Sequence, residues 1–325
     1  MAKKIAMIGA GAMGSVLGSF LQKGGADIVL VDPDRVAMDA IRDHGLILHS
    51  NAAKEEDAPE VVHMKTAYDA GEIGIMDYVI VMVKGTITKI ALEGAMPAID
   101  EHTYVVTTQN GLGNEDVIAE KIAKDHILVG CLEMASIAKA PGEVYGNLFD
   151  TDIKVHLGCM EETEEGKEAV RVLAKYLTQG GAKSELDEDI HTARWAKFMV
   201  NCLANPVLGL VRYDAKTANS NPDFTKLIIA LAQEGLQVAA ADGAKLDFPM
   251  LVTKVLPQAK KNAGDHLPSM AQDMMIFKKR TEIDTLNGHI VDLGKKYGIP
   301  TPYHETITYL VRIYQSHYEK QYYPE

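Results

Sequence analysis

The chain has 325 residues, and because a single hydrophobic core rarely grows beyond roughly 250 to 300 residues, we predict two domains. Hydrophobic residues make up 47% of the chain and charged residues 24%, which is typical of a folded globular protein and excludes extensive disorder. The formal net charge is −12 and no basic stripe is present, so we expect no nucleic-acid partner.

The sequence contains no recognisable targeting, disulfide or metal-binding signal. No signal peptide precedes the first predicted strand, and every apolar run is shorter than the ~20 residues that a membrane span requires. We therefore expect a cytoplasmic protein with no membrane partner. Cys131, Cys159 and Cys202 form no CxxC pair, which predicts core thiols. The histidines form neither an HExxH motif nor a close pair, so no metal site is expected.

The first half of the chain alternates short apolar runs with helical stretches. Continuous Val/Ile runs of this kind are typical of parallel strands that helices cover on both faces. The runs are residues 4–8, 27–32, 78–83, 103–108 and 126–130. Shorter strand patterns over 143–158 suggest an antiparallel extension of this sheet, and a helix over about 163–179 is expected to end at two glycines.

Strand patterns disappear from about residue 186, and long helical segments follow. We predict the α/β fold class, with a Rossmann-type doubly wound parallel sheet in a dinucleotide-binding domain over residues 1–183. An all-α domain over residues 184–325 is predicted to bind substrate and carry the catalytic residues.

A glycine-rich turn lies between the first predicted strand and the first predicted helix, in "KIAMIGAGAMGSVLGSFLQKGG". The GxGxxG spacing of Gly9, Gly11 and Gly14 allows a tight turn, close approach of a pyrophosphate and close packing of the helix on the strand. The helix N-terminus, with Ala12 and Met13 in its first turn, would offer N–H groups and a partial positive charge to phosphates. We predict a dinucleotide site here; the alternative is a glycine turn without a ligand.

Asp32 ends the second predicted strand, eighteen positions after Gly14. A carboxylate there is placed to accept hydrogen bonds from an adenosine ribose, and it would repel a 2′-phosphate about 5 Å away by about 3 kcal/mol. Asp34 adds to this repulsion, whereas Arg35 is able to pair with a 2′-phosphate. The sequence therefore favours NADH over NADPH within an NAD(P)H site. The alternative is that Asp32 is a turn carboxylate before Pro33.

Polar residues follow two further strands, at the edge of the sheet where ligands of such folds bind. Lys84 follows "YVIVMV", and Asn110 lies in the turn "QNGLGNED". Both are candidates for contacts with the cofactor, and Asn110 also for contacts with the substrate. The alternatives are an exposed loop lysine at 84 and a left-handed turn residue before Gly111.

The segment "ARWAKFMVNCLANP" predicts a largely apolar helix that carries Lys197, Asn201 and Asn205 on one side. Residues at this i, i+4, i+8 spacing form a stripe about 12 Å long. Asparagine is a poor helix former, which argues against a simple solvent-facing stripe, although that alternative stays open. We predict that this polar stripe forms the substrate wall of a cleft between the two domains.

Two later segments combine helix-start signals with candidate ligands. Ser269 and Gln272 have capping-box spacing, so Ser269 is predicted either to cap a helix or to help hold a carboxylate. Thr281 is predicted to cap a second helix with Glu282 in its first turn, where a carboxylate is favoured even without function. Glu234 is interpreted as a paired helix acid and not as a catalyst.

These motifs together resemble the ketopantoate reductase family from end to end. The motifs are GAGAMG, VMVKG, QNGLGNED, KFMVNCLANP, PSMAQD and RTEID..NG, and they occur in the family's order. The resemblance implies reduction of a 2-oxo acid, above all 2-dehydropantoate to (R)-pantoate in pantothenate biosynthesis, with hydride from NAD(P)H.

The resemblance also implies roles for individual residues. Lys197 resembles the general acid that protonates the carbonyl oxygen, and Glu282 the partner of the substrate hydroxyl. Lys84 matches a lysine near the cofactor. The remaining matches are polar groups around substrate and cofactor, namely Asn110, Asn201, Asn205 and, as a substrate ligand, Ser269.

Two features depart from the commonest family pattern. Ser269 and Glu282 are thirteen positions apart, one more than is usual, and Asp32 replaces a polar or basic residue that favours NADPH. Both resemble a branch whose members reduce branched or aromatic 2-oxo acids with NADH, so a D-2-hydroxyacid dehydrogenase is the alternative enzyme. A non-catalytic dinucleotide-binding sensor is the alternative of another class. The sequence leaves the oligomeric state open, and a homodimer is among the partners it allows.

Overall fold

A computed structural model gives the structure of the chain and describes residues 2–50, 58–146, 153–257 and 267–321. The chain divides into two compact units, residues 1–190 and residues 191–325. The boundary expected near residue 183 lies a little before this division, at the start of the strand Lys183–Leu186, which is the last strand of the first unit.

The first unit alternates strands and helices as its sequence indicates. Its strands are β1 (Lys4–Ile8), β2 (Asp27–Val31), β3 (Leu46–Ser50), β4 (Glu60–Val62), β5 (Lys65–Ala67), β6 (Tyr78–Val81), β7 (Tyr104–Thr107), β8 (Ile127–Glu133), β9 (Ser136–Ala140), β10 (Glu143–Gly146), β11 (Lys154–Cys159) and β12 (Lys183–Leu186). Its helices are α1 (Ala12–Lys23), α2 (Arg35–His44), α3 (Thr88–Ala95), α4 (Asn114–Ala119) and α5 (Glu164–Gln179).

The main sheet has eight strands in the order β12-β11-β8-β7-β6-β1-β2-β5. The strands from β5 to β8 in this order pair in parallel, with Ile5 of β1 opposite Ile28 on one side and Tyr78 on the other. This strand order, with helical crossovers, confirms the predicted Rossmann-type α/β fold.

Side chains of β1 alternate between two separate hydrophobic clusters. Ile5 and Met7 lie in a large cluster with residues of α1 and α5, whereas Ala6 and Ile8 lie in a second cluster. Successive side chains of a strand point to opposite faces, so both faces of the sheet are covered. This double burial explains why the central strands read as continuous apolar runs.

The extension predicted over residues 143–158 is partly wrong. β11 pairs antiparallel with β8 and extends the main sheet, as expected. β10 instead belongs to a second sheet with the order β4-β3-β10-β9, in which it pairs in parallel with β3. A pairing between segments almost a hundred residues apart leaves no local pattern in the sequence, so the second sheet was not predicted.

Helices joined by turns and loops make up the second unit, and the residues that the structure describes there form no strand. Its helices are α6 (Ile190–Val211), α7 (Ala215–Asn219), α8 (Pro222–Ala241), α9 (Phe248–Met250), α10 (Ser269–Gln272), α11 (Asn287–Tyr297) and α12 (Pro302–Ser316). α9 and α10 continue as the π-helical turns Leu251–Val255 and Asp273–Phe277. No described helix is both long enough and apolar enough to cross a lipid bilayer. All three cysteines are buried free thiols, as predicted.

A half-buried histidine joins three strands at the edge of the main sheet. His156 of β11 contacts Glu133 of β8 through Nε2 at 3.2 Å and Asp187, which follows β12, through Nδ1 at 3.0 Å. The hydrogen bond with Glu133, together with that of Asp187, raises the pKa of His156 above its ordinary value.

We expect the free energy of unfolding to fall as the pH rises from about 6.5 through the raised pKa of His156, because the folded chain keeps this proton longer than the unfolded chain does. Urea denaturation between pH 6 and 9 measures the slope. His156→Gln should flatten it, whereas His102→Gln, at a side chain that is 84% exposed, should not. Equal slopes in wild type and His156→Gln would contradict this assignment.

Candidate active site

The glycine turn between β1 and α1 is built by close contacts that no other residue allows. Gly9 has φ +99°, and a Cβ there would lie 2.7 Å from the Met82 carbonyl oxygen. A Cβ on Gly14 would lie 2.0 Å from the Gly9 carbonyl oxygen. These two glycines are therefore required by the protein's own packing, and Gly9 holds the turn against the end of β6.

Gly11 differs from the other two glycines, because a Cβ there would meet no atom within 4 Å among the described residues, apart from its two neighbours in the chain. It is exposed and precedes Ala12 and Met13 at the start of α1, where no side chain caps the helix. The chain itself does not need a glycine at this position, so the open space fits close approach of a ligand. An uncapped helix N-terminus beside it suits a pyrophosphate, so the residues present fit a dinucleotide.

Asp32 connects the second strand to the glycine turn. Its Oδ2 accepts the Ala10 N–H at 2.9 Å, and its Oδ1 accepts the Asp34 N–H at 2.9 Å. The bond to Asp34 is the turn role that the sequence left open as the alternative for Asp32. The bond to Ala10 places the same carboxylate against the glycine turn as well. Arg35 is exposed, and its guanidinium lies 4.2 Å from the centre of the Tyr68 ring.

Lys84 and Asn110 are both exposed. A buried glutamine connects the two loops that carry them through hydrogen bonds. Gln109 donates from Nε2 to the Val83 carbonyl oxygen at 2.7 Å and to the Thr88 hydroxyl at 2.9 Å. Gln109 is only 6% exposed. Gln109 was not predicted from the sequence, although its place directly after a predicted buried strand was an available signal.

Asn110 is not the left-handed turn residue that one alternative proposed. The positive φ angles in this turn belong to Gly111 at +89° and Gly113 at +86°. The Asn110 carbonyl oxygen accepts the Asn114 side-chain amide at 3.2 Å. Backbone geometry therefore does not explain the choice of asparagine at 110.

The polar stripe of Lys197, Asn201 and Asn205 lies on α6, in the second unit. The asparagines are only 8% and 7% exposed, and Lys197 is half-buried. The Asn205 amide donates to Asn201 Oδ1 at 3.4 Å. The solvent-facing alternative is therefore wrong for the two asparagines. Buried amides with an ammonium group on the same side of the helix can bind a polar ligand that carries negative charge.

The helix predicted to begin at Thr281 begins only at Asn287, so Glu282 does not lie in a first helical turn. The Thr281 N–H and hydroxyl both donate to Gln315 Oε1 at 2.8 Å, which holds this segment out of the helix. Glu282 is half-buried, and its carbonyl oxygen accepts the Leu286 N–H at 3.0 Å.

Ser269 does not form the predicted capping box. It is the first residue of α10 and is exposed, whereas Pro268 occupies the capping position and offers no side-chain acceptor. Gln272 donates to the Leu267 carbonyl oxygen at 2.7 Å instead of reaching back to a capping residue. A capping role is thereby excluded for Ser269, and its role as a substrate ligand stays a prediction.

Glu234 is a structural acid, but its partners are backbone amides and not a cation. Its carboxylate accepts the N–H groups of Tyr303 at 2.9 Å and His304 at 3.0 Å, at the start of α12. It therefore caps this helix from a neighbouring one, and it is not a catalytic candidate.

Each unit has its own set of candidate residues, which the structure brings together only in part. The first unit gathers the glycine turn, Asp32 and the loops of Lys84 and Asn110 at one edge of the main sheet. In the second unit the stripe lies on α6, and α10 packs on the same helix, where a Cβ on Gly209 would lie 3.4 Å from the Ala271 Cα. The first set suits a dinucleotide, and the second suits an anionic substrate.

Models of one known protein family match both units. The model described as "Ketopantoate reductase PanE/ApbA" matches residues 5–162, and its C-terminal counterpart matches residues 189–315. The chain is 31% identical to the 2-dehydropantoate 2-reductase of Lactococcus lactis subsp. lactis, over 95% of this chain and 96% of that protein.

Solved structures agree in fold over nearly the whole chain. D-mandelate dehydrogenase with NADH and anilino(oxo)acetate is 28% identical with a TM-score of 0.86, covering 96% of this chain and 98% of that one. The 2-dehydropantoate 2-reductase of Geobacter metallireducens is 26% identical with a TM-score of 0.84, covering 95% and 99%. The resemblance predicted from the motifs is confirmed: this chain belongs to the ketopantoate reductase family.

Proposed function

We propose that this chain reduces 2-dehydropantoate to (R)-pantoate with NAD(P)H. The observation that carries the proposal is the stripe on α6, in which buried amides follow a half-buried ammonium group one and two helical turns later. The family and the Lactococcus relative, a 2-dehydropantoate 2-reductase, support the substrate. In the balanced reaction, a 2-oxo acid, NAD(P)H and one proton give a 2-hydroxy acid and NAD(P)⁺.

The first unit is assigned the cofactor. Gly9, Gly11 and Gly14, with the N–H groups of Ala12 and Met13, would hold the pyrophosphate, and Asp32 would hold the adenosine ribose. Lys84 and Asn110, at the ends of the neighbouring strands, are assigned to the nicotinamide side. When bound, the reduced nicotinamide supplies the hydride that the carbonyl carbon receives.

The second unit is assigned the substrate and the proton. Lys197 holds a proton on Nζ and transfers it to the carbonyl oxygen as negative charge develops there. Asn201 and Asn205 orient the substrate without adding a charge that would compete with Lys197. Glu282 accepts a hydrogen bond from the substrate hydroxyl, and the Ser269 hydroxyl donates a hydrogen bond to the carboxylate of the substrate.

Initial rates with three 2-oxo acids test the substrate assignment. We expect ketopantoate to give a kcat/KM at least about 10-fold above those of 2-oxoisovalerate and phenylglyoxylate, because only ketopantoate carries the hydroxyl that Glu282 is assigned to bind. Each substrate is assayed with NADH and with NADPH. A preference for the two acids that lack the hydroxyl would overturn the pantoate assignment.

A preference for the two acids that lack the hydroxyl would favour the alternative enzyme, a D-2-hydroxyacid dehydrogenase. The observation that favours this candidate is Asp32 at the dinucleotide turn, together with the likeness to D-mandelate dehydrogenase with NADH. If the chain instead bound NADH tightly and oxidised it with none of the three acids, it would be a dinucleotide-binding sensor. Light scattering of the purified chain tests the homodimer that the sequence allows.

We further propose that NADH is preferred over NADPH. Asp32 and Asp34 would repel a 2′-phosphate, and Arg35 already lies against the Tyr68 ring. We expect kcat/KM to be about 10-fold higher with NADH, and Asp32→Asn to reduce this preference while keeping the shape of the side chain. Asp69→Asn, at a turn aspartate whose carboxylate caps residues 70–72, is the control and should leave the preference unchanged. An NADPH preference in the wild type would contradict the proposal.

A further inference from the structure

Helix α6 runs through a proline one residue beyond Asn205. Pro206 lies inside the helix, which extends from Ile190 to Val211. A proline has no N–H group, so the carbonyl oxygen four residues earlier, that of Cys202, loses its helical donor. Cys202 is fully buried, and water cannot be expected to replace that donor. The helix that carries the stripe therefore has one acceptor that must be satisfied from another element.

The missing donor comes from Asn287, the first residue of α11. Its Nδ2 lies 3.0 Å from the Cys202 carbonyl oxygen and 3.0 Å from Nδ1 of His304. Asn287 is 0% exposed. Both neighbours are acceptors, so the two hydrogens of one amide group satisfy both of them, and this fixes the orientation of the side chain. Among the described residues, Asn287 Oδ1 has no hydrogen-bond partner.

The histidine on the other side of Asn287 is held in one tautomer. His304 is 0% exposed, and its Nε2 lies 2.9 Å from the Leu231 carbonyl oxygen, which can only accept. Nε2 therefore carries the hydrogen and Nδ1 accepts from Asn287. Burial lowers the pKa of His304 to about 4, so the ring is neutral at pH 7. The Glu234 carboxylate binds the His304 backbone N–H and fixes the same helix start.

This arrangement ties two parts of the candidate site together. Cys202 directly follows Asn201 of the stripe, and Asn287 lies five positions after Glu282. We propose that Asn287 is a positioning residue: by donating to the carbonyl that Pro206 leaves without a helical partner, it fixes the Glu282 segment relative to the stripe on α6. The catalytic consequence rests on the proposed function, whereas the contact itself does not.

A pair of variants separates positioning from stability. Asn287→Ala should lower the melting temperature by about 5 °C and reduce kcat/KM for the 2-oxo acid by about 10- to 100-fold, with cofactor affinity unchanged. Pro206→Ala restores a backbone N–H to Cys202. In the Pro206→Ala background, Asn287→Ala should cost fewer degrees of melting temperature, because the carbonyl keeps a donor. The loss in kcat/KM should persist, because the link to the Glu282 segment is still missing.

The matched isostere Asn287→Asp tests the contact without any activity assay. Aspartate keeps the volume but offers no donor, so His304 would face an acceptor on each ring nitrogen. We expect its pKa, followed by NMR of the imidazole, to rise by at least one unit from about 4, because only the protonated ring donates from both nitrogens. An unchanged His304 titration in Asn287→Asp would overturn the assigned contact.

The outcomes distinguish this inference from the proposed function. If the wild-type chain reduced no 2-oxo acid, the proposed function would fail, while the melting-temperature cycle and the His304 titration would still test the contact. If the wild type is active and folded Asn287→Ala keeps its kcat/KM within about twofold, Asn287 is not a positioning residue. Recovery of kcat/KM in the double variant would also overturn it, since restored stability would then account for the whole effect.

Discussion

Lys197→Ala is expected to lower kcat for 2-oxo acid reduction by at least about 100-fold, because the alkoxide that forms on the carbonyl oxygen loses both its proton donor and its neighbouring positive charge. Binding of NADH, followed by fluorescence titration, should be unchanged, since the glycine turn and Asp32 belong to the first unit. Steady-state kinetics with saturating cofactor measures the loss.

Two further variants make the Lys197 prediction specific. Lys197→Arg keeps the positive charge but cannot release a proton near neutral pH, so it should restore substrate binding more than turnover. Lys295→Ala removes an exposed lysine of α11 and should leave kcat unchanged. If Lys197→Ala kept most of its turnover, the proton would have to come from another group, and the assigned mechanism would be wrong.

Gly11→Val is expected to weaken NADH binding by at least about 30-fold and to shift the melting temperature by no more than about 1 °C. The reason is that a Cβ at Gly11 meets no atom within 4 Å in the part of the chain that the structure describes, its two chain neighbours apart, and its ψ of −176° is extended backbone that valine adopts readily. The new side chain would therefore occupy space that we assign to the pyrophosphate. Isothermal titration with NADH and a thermal melt of the same preparation measure both quantities.

Gly14→Ala is the matched comparison for Gly11→Val. Its Cβ would lie 2.0 Å from the Gly9 carbonyl oxygen, so the start of α1 must move away from β1. We expect a melting temperature lower by several degrees together with weaker NADH binding. If Gly11→Val destabilised the fold as much as Gly14→Ala does, Gly11 would be a packing glycine and the case for a ligand there would disappear.

Local patterns in the sequence were sufficient for the parallel sheet and for the start of α1. Buried parallel strands have apolar side chains on both faces. The φ of +99° at Gly9 is one that few residues other than glycine adopt. The family and the order of its motifs were also readable from the sequence. In contrast, capping signals at Ser269 and Thr281 were misleading, because Pro268 and Gln315 supply the local geometry at those two places.

The sequence by itself determined which residue types line up: an ammonium group and two amides at a spacing of four, and three glycines around the start of a helix. Only the tertiary structure decided that the two amides are buried, that Gly11 alone among the three glycines leaves open space, and that Asn287 donates to Cys202. The physical reason is that periodicity fixes the face of a helix on which a side chain lies, whereas burial and hydrogen-bond partners depend on segments far away in the chain.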